Sequence, residues 1–116
     1  MKKSDFKMFV EQGGSLSIMA VAGPVDSATL DQFRAALDGL TASPAPQVLL
    51  DCQNMAYISS RGLELLVKYH RVCSSQRGRF AVCGISPKLF HAMDLLGLGS
   101  LLNTFETRSQ AIEAMR

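Results

Sequence analysis

Apolar and polar positions change their spacing repeatedly along the chain, and each change predicts an element boundary. Phe6, Met8 and Val10 alternate with other residues, Gln12-Gly13-Gly14-Ser15 supplies turn chemistry, and Leu16, Ile18, Ala20 and Ala22 alternate again, so an opening β-hairpin is expected. Gly23-Pro24-Val25-Asp26 is predicted to break the second strand and Ser27 to cap a helix. In that helix Leu30, Phe33, Leu37 and Leu40 recur at helical spacing and form one apolar stripe. A surface loop with two prolines follows, from Thr41 to Pro46.

Val48-Leu49-Leu50 is a continuous apolar run of the kind expected for a strand covered on both faces, and it is predicted to lead through a short polar loop into Ser59-Ser60. A second helix, over about 61–76, would place Leu63, Leu66, Val67, His70 and Cys73 on one side. His70 is there a satisfied structural histidine rather than a ligand. After the turn Gln76-Arg77-Gly78, Phe80-Ala81-Val82-Cys83 reads as a strand. Ser86-Pro87 supplies a cap and a first-turn proline for a third helix with Leu89, Met93 and Leu96 inward and Gly97 as its stop. Thr104-Phe105-Glu106 is expected as a last edge strand. Thr107-Arg108-Ser109-Gln110 is a capping box for a terminal helix that buries Ile112 and Met115. The order β-β-α-β-α-β-α-β-α predicts an α/β fold: one domain over 1–116, with a mixed, mostly parallel sheet opened by an antiparallel hairpin and flanked by about four helices.

Composition narrows the function classes. With 116 residues and 47% hydrophobic content, the chain is long enough to bury one core and too short for a separate catalytic domain. Twelve basic and ten acidic residues, spread without a block of like charge, give a formal net charge of +2 and imply neither nucleic acid nor direct membrane insertion. Lys2-Lys3 followed by Ser4-Asp5 is not the pattern expected of a signal peptide, and no apolar stretch is long enough to span a bilayer. Cys52, Cys73 and Cys83 are odd in number, share no C-x-x-C spacing and sit in apolar surroundings, so reduced thiols and a cytoplasmic location are expected. His70 and His91 pair with no thiol and form no ligand set. Neither an enzyme nor a metal or other cofactor is therefore predicted. Gly97-Leu98-Gly99 follows a helix and lacks the rest of a phosphate-binding loop, and the six methionines are expected mainly as core filling.

The segment from Asp51 to Leu63, Asp-Cys-Gln-Asn-Met-Ala-Tyr-Ile-Ser-Ser-Arg-Gly-Leu, carries the most specific chemistry. A serine at a helix N-cap stands beside unsatisfied N–H groups at the positive end of the helix dipole, which suits a cap and equally suits an added phosphate. Gly62 in the first turn costs a helix roughly 1 kcal/mol against alanine, which points to a close approach to the backbone there.

That segment resembles the signature of the STAS family, the domain named for sulfate transporters and anti-sigma factor antagonists. The resemblance extends over essentially the whole chain, through Gly23-Pro24-Val25-Asp26 and Gly84-Ile85-Ser86-Pro87. Laid over the family pattern Asp-Ser-Ser/Thr-Gly-Leu, Ser59 stands at the acidic position, Ser60 at the phospho-acceptor, Arg61 at the variable position, and Gly62-Leu63 on the invariant pair. The resemblance implies a regulatory module that binds an anti-sigma factor with serine kinase activity and is switched off by phosphorylation at Ser60, with a phosphatase as a further partner. It implies a partner-binding set of Asp26, Ser59, Ser60, Arg61, Gly62, Leu63, Ser86 and Pro87. Asp26 has a plainer role open to it as a helix-capping aspartate. The absent acid before Ser60 and the bulky Arg61 leave a second reading, a cytoplasmic STAS subunit of a lipid-transport ABC system that docks through the same helix face.

Overall fold

The computed structural model describes residues 5–115, so Lys2, Lys3 and Ser4 lie outside the described residues. Its elements are β1 (Lys7–Gly13), β2 (Leu16–Val25), α1 (Leu30–Leu40), β3 (Gln47–Ile58), α2 (Ser60–Ser75), β4 (Arg79–Cys83), α3 (Pro87–Leu95), a 3-10 turn at Gly99–Leu101, β5 (Asn103–Phe105) and α4 (Arg108–Met115). The strands form one sheet in the order β1-β2-β3-β4-β5. β1 and β2 are antiparallel, and every other neighbouring pair is parallel.

The two faces of this sheet are covered unequally. On one, Met19, Val21, Val48, Leu50, Cys52, Phe80 and Val82 meet Phe33 and Leu37 of α1, Leu63, Leu66, Tyr69 and Cys73 of α2, and Met93 of α3. On the other, Ile18, Leu49, Ala81 and Cys83 pack beneath Ala111 of α4. Val48-Leu49-Leu50 feeds both layers, which is why the run is apolar throughout. Each large side chain so buried contributes about 1.5–3 kcal/mol of transfer free energy.

Several boundaries differ from the sequence expectation, each for a local reason. The Gly23-Pro24-Val25 segment does not break β2. The strand runs to Val25, and the register shift between Gly23 and Pro24 accommodates the proline. β1 pairs with β2 only as far as Ala22, so the missing proline N–H has no partner to disappoint on that side. The segment after Leu50 is strand rather than loop: β3 continues through Asp51–Ile58 by pairing with the far half of β2. β4 reaches only Asp51 of β3, and one face of the extension lies open, so Gln53, Asn54, Ala56 and Tyr57 are exposed and the stretch reads as polar. The main core takes the odd-numbered Met19, Val21 and Val25 of β2, while the alternation through Leu16 and Ile18 marks the smaller α4 layer.

Helix details show the same pattern. Ser27 is exposed and caps nothing. Thr29 precedes α1, and Asp26 Oδ1 accepts the N–H groups of Ala28 (3.0 Å) and Thr29 (3.2 Å). In α2 it is Tyr69, beside Leu66 and Cys73, that is fully buried, and not His70. The ring of Tyr69 fills the core while its hydroxyl donates to the Asp38 carboxylate of α1. His70 is half-buried with Nδ1 enclosed and unpaired, so it is not the satisfied histidine expected. Leu96 is 61% exposed rather than inward. Gly97, at φ +74°, reverses the chain so that Leu98 donates its N–H to the Met93 carbonyl (2.9 Å) and takes the inner place. The terminal capping box forms as expected, with Thr107 Oγ1 accepting the Gln110 N–H (3.1 Å) and Gln110 Oε1 accepting that of Thr107 (3.3 Å). Among the described residues no helix is long and apolar enough to cross a membrane.

Candidate functional site

The Ser59-Ser60 pair stands where β3 ends and α2 begins, and the two hydroxyls have different duties. Ser59 has the extended backbone of an N-cap, and its Oγ accepts the Gly62 N–H at 3.2 Å. Its own N–H donates to the Val25 carbonyl at 2.9 Å, which fixes the start of α2 to the end of β2. Ser60 is the first helical residue and is exposed, and its hydroxyl makes no hydrogen bond to any described residue. Capping thus falls to Ser59 and leaves the Ser60 hydroxyl available. Arg61, next in the chain, is also exposed.

Gly62 and Leu63 are buried beneath this corner rather than presented on it. A Cβ at Gly62 would lie 2.5 Å from Ile58 Cγ1 and 3.2 Å from Val25 Cγ1, so the close approach expected at this glycine is made by the protein's own core. Leu63 reaches outward only as part of a cleft wall. That cleft, about 380 Å³, runs between the β3–α2 corner and α3, with Met55, Leu63, Leu89 and Leu96 as its apolar lining and Ser60, Ser86 and Lys88 as its polar groups. A second depression of about 490 Å³ opens on the other side, lined by Leu30, Asp31, Tyr57, Ser59 and Arg61. Ser60 and the exposed Tyr57 border both, so the free hydroxyl stands on the ridge between them.

The remaining expected residues divide between site and scaffold. Ser86 caps α3 by accepting the Leu89 N–H (3.2 Å) and lines the Ser60 cleft. Pro87 lines the cavity with Phe90 and Phe105 instead. Asp26 follows Val25 and so lies near Ser59, but its carboxylate is engaged with Ala28 and Thr29, the capping role. The acid that borders the Ser60 ridge is Asp31, and Tyr57, Lys88 and Leu96 join it as lining residues of the candidate site that sequence spacing did not mark for it.

Asp51 opens the motif in sequence yet serves the fold. It is only 7% exposed; Oδ1 accepts the Gln53 N–H (3.0 Å) and Oδ2 the Arg108 Nε–H (2.9 Å), while Arg108 Nη1 reaches Glu11 of β1 (2.7 Å). Hydrogen bonds to Glu11 and then Asp51 hold the Arg108 guanidinium even more firmly protonated than usual. The three thiols are free and buried. Burial pushes Cys73 up to about 11; burial together with the Asp51 carboxylate pushes Cys83 up to about 12; Cys52 is raised further, chiefly by burial. Thiols held in the protonated form are not nucleophiles.

Comparison with known proteins agrees with this architecture. A family model described as the STAS domain matches residues 7–111. The anti-sigma F factor antagonist of Paenibacillus polymyxa is 21% identical over 104 residues, 89% of each chain. Among solved structures, the chain is similar to an anti-sigma factor antagonist from Mycobacterium paratuberculosis with a TM-score of 0.86 and 23% identity, over 97% of this chain and 95% of that one. It is also similar to the Bacillus cell fate determinant SpoIIAA in its phosphorylated form, with a TM-score of 0.73 and 20% identity, over 95% of this chain and 100% of that one.

Proposed function

The chain belongs to the STAS domain family, and on that premise we propose that it is a cytoplasmic anti-sigma factor antagonist whose partner is an anti-sigma factor with serine kinase activity. It is a regulatory binding domain, not an enzyme. The unphosphorylated protein docks through the ridge and clefts around Ser60, phosphorylation of Ser60 ends the interaction, and a phosphatase restores it. The observation that carries this reading is the division of labour at the corner: Ser59 caps α2, and the exposed Ser60 hydroxyl stands between two clefts.

The chemistry of the corner suits such a switch. A phosphate on Ser60 brings about −1.5 to −2 charges to a helix N-terminus, with Arg61 beside it and Lys88 on the same cleft, so the protein itself accommodates the anion. A docked partner that covers the apolar cleft meets that charge at short range. One like-charge pair at ~4 Å with an effective dielectric of ~20 costs about 4 kcal/mol, nearly three orders of magnitude in affinity.

The transporter reading, a subunit of a lipid-transport ABC system, draws on the exposed Arg61, which suits docking without a kinase. One experiment separates the two. Affinity for the isolated anti-sigma factor kinase is measured for wild type, Ser60→Ala and Ser60→Asp, beside phosphosite mapping on protein taken from its own cells. Ser60→Ala should bind like wild type and resist phosphorylation, and Ser60→Asp should bind more weakly. Equal affinity of wild type and Ser60→Asp, with no phosphate on Ser60 in any growth phase, would transfer the assignment to the transporter reading.

A further inference from the structure

β1 is the outermost strand of the sheet, and among the described residues no proline, no bulge and no covering element keeps its edge from pairing; its charges, Lys7 and Glu11, are of opposite sign. Its two-residue connection, Gly14-Ser15, closes on the pair Gly13 and Leu16, which makes that pair hydrogen-bonded. Alternation along the ladder then gives Phe9 and Glu11 bonded partners in β2 and turns the main-chain groups of Met8 and Val10 away from it. Phe9 is 56% exposed and Val10 49% exposed, on opposite faces of the strand.

From this edge we propose that the protein forms a two-fold homodimer in which β1 pairs antiparallel with β1 of a second copy, centred on Phe9. The order Lys7-Met8-Phe9-Val10-Glu11 is self-complementary in that register. Phe9 meets Phe9, Met8 and Val10 exchange their free main-chain hydrogen bonds with Val10 and Met8 of the second copy, and the exposed Lys7 faces the exposed Glu11 at both ends. Lys7, Phe9 and Glu11 share the α4 face of the sheet, to which the ion pair of Glu11 with Arg108 ties them, so the two ion pairs flank the aromatic pair on a single face. The dimer joins two five-stranded sheets into one and hides both open β1 edges. No residue of β1 lines either cleft beside Ser60, so a dimer leaves both copies of the proposed docking site free.

The register has a charge signature that distinguishes it from any other association. Lys7→Glu places glutamates on both members of each terminal pair of its homodimer, and Glu11→Lys places lysines there. When the two variants are mixed, every terminal pair regains one charge of each sign. Sedimentation equilibrium should show a concentration-dependent dimer for wild type. Each single variant should dimerise about tenfold or more weakly, since two exposed cross-strand attractions become repulsions, and the mixture should recover the wild-type constant. Val10→Pro removes an outward N–H while leaving the β1–β2 ladder intact, and should abolish the dimer; circular dichroism confirms that each variant is folded. A wild-type protein that stays monomeric up to about 1 mM overturns the proposal. So does a dimer whose constant is the same in Lys7→Glu, in Glu11→Lys and in their mixture.

Discussion

Gly62→Ala tests whether the serine corner is built by internal packing or kept open for a visitor. In an unencumbered helix the change is favourable, because alanine exceeds glycine in helix propensity by about 1 kcal/mol. The surroundings of Gly62 oppose it. The new methyl would lie 2.5 Å from Ile58 Cγ1, 3.0 Å from Ile58 Cδ1 and 3.2 Å from Val25 Cγ1, all closer than ordinary van der Waals contact. Both walls are buried, Val25 completely, so neither side chain can swing into solvent to make room. Overpacking of this kind costs about 1–3 kcal/mol, and the 2.5 Å approach to a buried wall puts Gly62 in the upper part of that range, so after the propensity gain the net expectation is a loss approaching about 2 kcal/mol.

Urea unfolding followed by circular dichroism measures the loss directly, and a thermal melt should show it as a drop of a few °C per kcal/mol. A double-mutant cycle identifies the cause. Ile58→Ala alone opens a cavity and destabilises by about 2–5 kcal/mol, but in that background the methyl added at Gly62 has space, so Gly62→Ala should become neutral or stabilising there. The consequence also reaches the candidate site. Gly62 donates the N–H that Ser59 accepts, and Ile58 lies directly before Ser59, so the single variant should present Ser60 less well to the kinase proposed above. If Gly62→Ala proves as stable as wild type in the native background, the steric account is refuted.

Two further outcomes follow from groups outside the corner. Arg108→Met leaves the Asp51 carboxylate almost enclosed without its cationic partner and releases Glu11, so it should cost about 2–3 kcal/mol in urea unfolding, well above the effect of a fully exposed pair. The thiols make the fold sensitive to alkali. Their folded-state values lie above the ordinary value of 9.0, so the unfolded chain loses protons first, and stability is intact below about pH 9 and falls as pH rises toward 11–12. Urea midpoints between pH 8 and 11 should fall steadily, and Cys73→Ala should flatten part of that slope even though it lowers stability at neutral pH.

Much of this molecule is written in local periodicity, and where the sequence misleads, the cause is tertiary. The stripe of Leu30, Phe33, Leu37 and Leu40, the capping box at Thr107 and the cap-and-proline start at Ser86 each complete their logic within a few residues, and each is present in the structure. β2 could not reveal its main face by alternation, since Leu16 and Ile18 on one side and Met19, Val21 and Val25 on the other are all apolar and both sides are covered. The polar half of β3 exists because β2 is there to pair with it. The site divides in the same way: Ser59 and Ser60 announce themselves as a helix start, whereas Asp31, Tyr57 and Lys88 join them from three different elements and carry no local mark.

The serine that stands where the family pattern has an acid can be understood from the geometry of the cap. That position must accept the N–H of Gly62, and serine and aspartate are about equally good at doing so; the fold is therefore indifferent to the exchange. A phosphate on Ser60, as proposed above, would not be. A carboxylate at Ser59 would adjoin the phosphate on its neighbour, and two like charges at ~4–6 Å with an effective dielectric of ~20 repel by about 3–4 kcal/mol before solvent screening at this exposed corner reduces it. With Ser59 in that place and Arg61 on the other side, a phosphorylated corner would carry less internal repulsion than the acidic pattern would impose. On the function proposed above, the force of the switch then falls on the partner, which would have to bury the phosphate against its own surface, rather than on strain within the domain. A phosphorylated form nearly as stable as the unphosphorylated one, yet unable to dock, is the behaviour this arrangement favours.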